Sequence, residues 1–182
     1  MIELINISFK EYFYLDDRSE YDYAIRYAYK FNQGIDNFGF GDFMKLSFGL
    51  VKDLQYDLQN GLTWEQIIDY MILIKNVEYG GNTLLEMCQQ RQYMVNEIER
   101  ISKVEAIALS HESTDEEVRA GIEDFEPLGN YLQFRQLAIT FSKSIDEVRA
   151  WPYELCFTEL VAQKKLNDYE KRYTKIILER HK

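Results

Sequence analysis

The residues of this sequence that could do metal or acid–base chemistry are two histidines and many carboxylates. His111 precedes Glu112, but no second histidine follows four residues later, so the helical zinc motif is absent. His181 stands among charged residues near the C-terminus, and no Glu-x-x-His pair is present of the kind that bridges metals in helix bundles. We interpret His111 as part of a solvated helix end, and we expect no metal and no cofactor.

Residues that could perform phosphate binding or nucleophilic catalysis are equally scarce. The segment GFGDFM at Gly39–Met44 supplies two glycines of a dinucleotide-binding fingerprint, with Met44 where the third should be. No phosphate loop and no nucleophile-elbow serine are present. Cys88 and Cys156 are far apart in apolar helical settings, which favours buried free thiols. These observations predict that the protein is not an enzyme.

Composition narrows the class of protein further. The formal net charge of −10 disfavours non-specific binding to nucleic acid or to anionic membranes. The chain has no signal-peptide pattern, and no stretch approaches the ~20 apolar residues of a membrane span. With 9 glycines and 2 prolines in 182 residues, the composition favours long helices over a turn-rich β protein.

The elements that must position any site are predicted from a repeated helix-start signal. A Ser or Thr followed three residues later by an acid or amide can form a capping box, because the two residues satisfy each other's backbone N–H groups. The signal occurs at Ser8–Glu11, Ser19–Asp22, Thr63–Gln66, Thr83–Glu86, Thr114–Glu117 and Ser144–Glu147, and more weakly at Asn167 with Glu170. Helices are predicted over 9–14, 20–31, 42–59, 64–76, 83–111, 115–124, 129–142, 145–150, 153–165 and 168–180.

The predicted fold class is all-α: a multi-helix bundle with one long helix at about 83–111 and short C-terminal helices. We expect a single helical domain over 1–182, with an N-terminal subregion 1–61 and a C-terminal subregion 127–182. Aromatic residues alternate with other residues between Tyr21 and Phe31, as in a strand. We favour helix there, and leave open a small hairpin within 1–31.

The sequence is most specific at Ser144–Lys165, where one helix ends at Trp151 and Pro152 begins the next. Ala138, Ser142 and Val148 have the spacing of a helix-turn-helix. However, the second helix would present acids to DNA phosphates, and Pro152 would shorten it. A helical corner is the preferred interpretation, and a DNA-binding regulator remains an alternative.

Charge is unevenly distributed near the C-terminus. The acidic segment 112–126 holds seven acids and one base, and the basic segment 164–182 holds seven bases and three acids. The two segments could pair within one molecule or between copies. We predict that an apolar cluster and neighbouring basic residues form a partner-binding surface, although Phe157 and Leu160 also suit the core. Its residues are Trp151, Tyr153, Phe157, Leu160, Lys164, Lys165, Lys171 and Arg172.

A family resemblance covers about a third of the chain. The segments ITFSKSIDEVRAWPYELCFTELVAQKKLNDYEKR and FGFGDFMKLSFGLVKDLQ resemble helical proteins of tailed-phage structural modules, notably tail assembly chaperones. The matching positions are Ser144, Asp146, Glu147, Val148, Trp151, Pro152, Tyr153 and Leu160.

The resemblance implies a protein that binds a long helical tape-measure chain during phage assembly, with no cofactor, in the host cytoplasm. The long helix 83–111 departs from the family. It leaves open a stable virion component, such as a portal or tail connector, a ring or a packaged protein. A homo-oligomer is expected in either case.

Overall fold

The computed structural model describes residues 7–19, 21, 40–75, 83–111 and 113–180. Within these residues the chain forms eight α-helices and no β-strand, which confirms the predicted all-α fold. Short 3-10 segments lie at Phe43–Lys45 and Ile122–Leu128. The helices are α1 (Phe9–Phe13), α2 (Phe48–Asn60), α3 (Trp64–Lys75), α4 (Leu84–Leu109), α5 (Asp115–Arg119), α6 (Gly129–Phe141), α7 (Ile145–Arg149) and α8 (Tyr153–Arg180).

Helix starts follow the predicted capping boxes. At α7 the Ser144 hydroxyl accepts a hydrogen bond from the Glu147 N–H (3.2 Å), and the Glu147 carboxylate accepts one from the Ser144 N–H (2.8 Å). The same reciprocal pair forms at Ser8–Glu11, Thr63–Gln66, Thr83–Glu86 and Thr114–Glu117. These five boxes are confirmed.

Several sequence predictions fall outside the described residues. Ser19 itself is described, but its predicted capping partner Asp22 is not. The aromatic segment 20–31 is also outside, apart from Tyr21, and so is most of the hairpin alternative within 1–31.

The predicted helix over 42–59 is wrong at its start. A 3-10 turn at Phe43–Lys45 precedes α2, and Leu46 and Ser47 lie between them outside either helix. The Ser47 hydroxyl accepts from the Leu50 N–H at 3.4 Å, and the Phe48 N–H donates to the Trp151 carbonyl at 2.7 Å. The helix therefore begins at Phe48, because a side-chain cap and a tertiary hydrogen bond satisfy its first N–H groups.

The predicted helix over 115–124 ends early. Helix α5 stops at Arg119, and Gly121 adopts a φ of +82°, which is incompatible with a right-handed helix. The chain continues as the 3-10 segment Ile122–Leu128, so Pro127 lies within that segment.

The predicted break between 165 and 168 is absent. Helix α8 runs without interruption from Tyr153 to Arg180, a length of 28 residues, and so it is not one of the short helices expected there. Neither glycine nor proline occurs within it, and Lys164 pairs with Asp168 one turn later at 3.6 Å. Asn167 is therefore an interior helical residue and not a cap.

The chain divides into two compact units, each built from two stretches of sequence. Unit 1 comprises Met1–Phe43 and Leu54–Arg100, and unit 2 comprises Met44–Asp53 and Ile101–Lys182. The prediction of one domain over 1–182, with subregions 1–61 and 127–182, remains a prediction.

Unit 1 is organised by α3 and the first part of α4. Its buried residues recur at helical spacing, as expected for amphipathic helices. They include Leu54, Ile67, Met71, Leu84, Met87, Met94 and Ile98. The Tyr70 hydroxyl donates to the Asp57 carboxylate at 2.7 Å, and the Leu84 N–H donates to the Ile7 carbonyl at 2.9 Å. These contacts join α2, α3 and the residues before α1 and α4.

Unit 2 is organised around the corner at Trp151 and Pro152, which the sequence predicts. The Tyr153 N–H donates to the Leu46 carbonyl at 2.8 Å, so the start of α8 is held against the chain before α2. The Phe48 ring meets the Phe134 ring edge-on, with 5.1 Å between centroids. Further buried residues of this core are Val51, Ile101, Leu137, Val148, Cys156 and Leu160.

Candidate docking surface

The apolar residues of the predicted partner-binding surface divide between buried and partly exposed positions. Tyr153 and Leu160 are 1% and 6% exposed, so most of each side chain belongs to the core of unit 2. Phe157 is half-buried and stacks on Tyr153, with 5.8 Å between ring centroids. Trp151, also half-buried, packs its ring edge-on against Phe141 at 5.4 Å.

The predicted basic residues divide between two sides of α8. Lys164 and Lys171 line a groove together with Leu160, whereas Lys165 and Arg172 lie on a different side of the helix. We call this the polar groove; it has a volume of about 980 Å³. Its walls are the end of α4, α6 and α8, and its lining includes Leu109, His111, Gln133, Gln136, Asn167, Thr174, Lys175 and Leu178.

One contact at the polar groove joins the acidic and basic segments within the molecule. Glu117 accepts hydrogen bonds from Lys171 Nζ at 3.3 Å and from His111 Nε2 at 2.8 Å. The backbone N–H of Thr114, followed by His111 and Lys171, lowers the pKa of Glu117 to about 2. The three side chains are between 29% and 64% exposed, so this contact fixes local geometry and adds little stability.

A second groove lies on another side of α6, and the sequence analysis missed it. We call it the apolar groove; its volume is about 630 Å³. It is lined by Ile122, Phe125, Leu132, Arg135, Gln136, Ile139 and Thr140. Phe125 is 53% exposed and Ile139 is 64% exposed, so its apolar surface is open to solvent.

A sequence signal for the apolar groove was present in α6. Phe134, Leu137 and Ala138 form its buried face, yet Leu132 and Ile139 lie on other sides of the helix. A helix that is apolar around much of its circumference needs cover on more than one face. Phe125 lies in the acidic segment 112–126, which the sequence analysis considered only for its charge.

Three buried titratable groups form a cluster in the core of unit 2. Lys52 on α2 pairs with Glu105 on α4, and the Tyr153 hydroxyl donates to the same carboxylate at 3.1 Å. Burial lowers the pKa of Lys52, against the opposing effect of Glu105, and burial together with Glu105 raises the pKa of Tyr153. The three residues are at most 8% exposed, so they join three helices and offer no route to a substrate.

The cysteines and the possible metal ligands of the sequence form no reactive site in the described residues. Cys88 and Cys156 are buried free thiols, and burial raises the pKa of Cys156 to about 11. Among the described residues, no three His, Cys, Asp or Glu side chains come close enough to hold a metal ion. None of the helices in the described part of the chain has an apolar stretch that could cross a bilayer.

Helices α6 and α7 occupy the two helical positions of the helix-turn-helix alternative. Ser142 adopts a left-handed conformation (φ 52°, ψ 46°) in the turn between them. The second helix, α7, has only five residues, and its first turn exposes Asp146 and Glu147. Exposed acids would repel DNA phosphates, so this arrangement does not favour DNA reading.

No family model, curated protein or solved structure matches the chain.

Proposed function

We propose that this protein is a non-enzymatic docking protein of tailed-phage assembly, similar in action to tail assembly chaperones. In this proposal it binds an apolar helical segment of another phage protein, of the tape-measure type, and holds it during assembly. The resemblance of Ser144–Lys165 and its flanks to those chaperones supplies the context. The runner-up is a stable virion component that makes the same kind of contact permanently.

The observation that carries the proposal is the apolar groove. Phe125 and Ile139 stand half or more exposed at its walls, where burial against a partner would remove apolar surface from water. Amphipathic helices commonly bind proteins by laying their apolar face into such a groove. Arg135 at the wall can pair with an acid on the polar flank of a bound helix.

Strongly shifted pKa values among the described residues belong to groups with structural partners, which supports a non-catalytic role. Active sites often hold groups whose pKa values are strongly perturbed. Here Glu117 and Glu147, whose pKa values are lowered to about 2, belong to helix capping boxes. Lys52, Glu105 and Tyr153 satisfy one another within a core.

Co-expression with the tape-measure protein of the same phage tests the proposal. We expect the wild-type chain to co-elute with it in gel filtration and Ile139→Asp to lose that binding, because a carboxylate would face the client's apolar side. Tyr131→Asp is the matched control, since Tyr131 is 49% exposed on the same helix and does not line the apolar groove. Equal binding by the two variants would show that the groove is not the docking site.

Mass spectrometry of purified particles separates the two assembly functions. A chaperone should be absent from mature particles, whereas a virion component should be present at a fixed copy number. A gel-shift titration tests the alternative that the protein is a DNA-binding regulator. Retardation of duplex DNA that weakens steeply with salt, in a protein that does not bind the tape-measure chain, would overturn the proposal.

A further inference from the structure

Helix α8 carries an exposed apolar stripe on the side opposite the polar groove. Leu166, Tyr169, Tyr173 and Ile176 are between 49% and 57% exposed, and the Tyr169 and Tyr173 rings stack at 6.0 Å. At 100° per residue these four positions lie close together on the helix surface, and their centre is about 180° from the centre of the polar-groove lining. Glu170 and Glu179 lie at the edges between the two. We call them the α8 stripe.

The spacing of the α8 stripe is that of a coiled-coil seam. Its members follow one another at intervals of three, four and three residues, which is the a/d pattern of a heptad. The same pattern continues to Ala162 on one side and to Arg180 on the other. The seam from Ala162 to Arg180 is about 28 Å long at 1.5 Å per residue, enough for a weak interface between two helices.

We propose that the α8 stripe binds a second copy of this chain, with the two α8 helices antiparallel. In that register Tyr169 of each copy faces Tyr173 of the other, and Leu166 faces Ile176. Ala162, the smallest seam residue, faces the long side chain of Arg180. Aromatic meets aromatic, aliphatic meets aliphatic, and small meets large, so the seam fills without a gap.

Charge complementarity favours the antiparallel arrangement over the parallel one. Lys165 and Arg172 flank the stripe on one side, together with Glu179. In the antiparallel pair Lys165 lies beside Glu179 of the second copy, and this contact occurs twice. Near the twofold axis Arg172 meets Arg172 of the second copy and Glu170 meets Glu170, which gives one like-charge contact on each flank.

The parallel arrangement has a different charge pattern at the ends of the seam. It would place Glu159 against Glu159 and Arg180 against Arg180, because identical residues meet in a parallel dimer. In the antiparallel dimer the same two residues lie at opposite ends of the partner helices, so Glu159 lies near Arg180 of the second copy. The opposite charges at each end therefore specify the orientation.

Sedimentation velocity across a range of concentrations tests the dimer. The wild-type chain should form dimers reversibly as its concentration rises. Tyr173→Glu should raise the dissociation constant by about tenfold or more, since it places a charge in the seam. Thr174→Glu is the matched control, because it introduces the same side chain one residue away, on the side of the polar groove. It should leave the dissociation constant unchanged.

A charge reversal tests the orientation with full-length protein. Lys165→Glu and Glu179→Lys should each weaken the dimer about three- to tenfold, because each puts two like-charge pairs beside the seam. The double variant Lys165→Glu/Glu179→Lys should regain wild-type affinity. A double variant weaker than both single variants would overturn the antiparallel dimer. A wild-type chain that stays monomeric at every concentration would overturn the dimer. If that monomer co-sediments with anionic phosphatidylserine vesicles, the stripe binds a membrane surface and the dimer is equally overturned.

Discussion

Lys52 and Glu105 form an ion pair inside unit 2, with side-chain exposures of 3% and 10%. They come from α2 and α4, 53 residues apart in sequence. The Lys52 ammonium also lies 5.5 Å from the centre of the Phe48 ring, and the Glu105 carboxylate accepts from Tyr153. The ion pair therefore lies against two aromatic residues of the unit 2 core, Phe48 and Tyr153.

Breaking this ion pair from one side should destabilise the protein strongly. In Lys52→Met the buried Glu105 carboxylate loses the Lys52 ammonium, and the free energy of unfolding should fall by about 3–5 kcal/mol. Urea unfolding followed by circular dichroism measures the change. The reason is the desolvation of Glu105, which the hydroxyl of Tyr153 offsets only in part.

Replacing the whole cluster should cost much less than the single changes suggest. The triple variant Lys52→Met/Glu105→Leu/Tyr153→Phe removes both charges of the cluster, so the loss should be smaller than the sum of the single losses by more than about 1 kcal/mol. Strictly additive losses would contradict the view that the three side chains act as one unit.

The capping box at the start of α7 should make stability depend on pH. The Ser144 N–H, followed by the Lys143 ammonium, lowers the pKa of Glu147 to about 2 from the ordinary value of 4.5. Because the folded pKa is the lower one, the stabilisation is fully present above pH 4.5 and is lost as the pH falls to about 2. Glu147→Gln removes the charge and should therefore melt at a lower temperature than wild type at pH 7.

The difference in melting temperature between wild type and Glu147→Gln should narrow as the pH falls from 4.5 toward 2. It should also shrink in high salt at pH 7, because Glu147 and Lys143 are both solvent-exposed. Thermal unfolding by circular dichroism at several pH values provides the measurement. A difference that stays constant across this pH range would rule out a contribution from the Glu147 charge.

Helix starts were predictable because capping depends on residues three positions apart. The boxes at Thr83–Glu86 and Ser144–Glu147 act through local hydrogen bonds, so their sequence pattern is sufficient. Helix ends were less predictable. Asn167 is a residue type that often caps helices, but α8 continues through it. Contacts such as the i,i+4 pair of Lys164 and Asp168 outweigh the weak preference of asparagine for a helix end.

The surfaces were predictable only in part, because a single helix does not reveal which face its neighbours cover. Tyr153 and Leu160 are apolar residues suited equally to a core or an interface, and burial places them in the core. Leu166 lay at the expected break in α8, so the heptad across that break was not recognised. Lys52 and Glu105 have the local sequence of ordinary helix surface charges, and only tertiary packing brings them together.

Gly49 and Gly129 are both helical glycines, yet they should respond to alanine in opposite directions. At Gly49 a Cβ would lie 3.0 Å from the Cβ of Arg149 and 3.2 Å from its carbonyl oxygen. Arg149 is fixed by an ion pair with Asp53 at 2.6 Å and by its position 5.0 Å from the Phe134 ring centre. Its backbone therefore has little room to move away.

For Gly49→Ala the steric cost should exceed the gain in helix propensity. Overpacking costs about 1–3 kcal/mol, against a propensity gain of at most about 1 kcal/mol, so the free energy of unfolding should fall. At Gly129 nothing lies within 4 Å of the added Cβ, and Gly129→Ala should raise stability by about 0.4–1 kcal/mol through a less flexible unfolded chain. Urea unfolding of both variants provides the comparison. If Gly49→Ala proved as stabilising as Gly129→Ala, the close approach of α2 to α7 at Arg149 would not be present in solution.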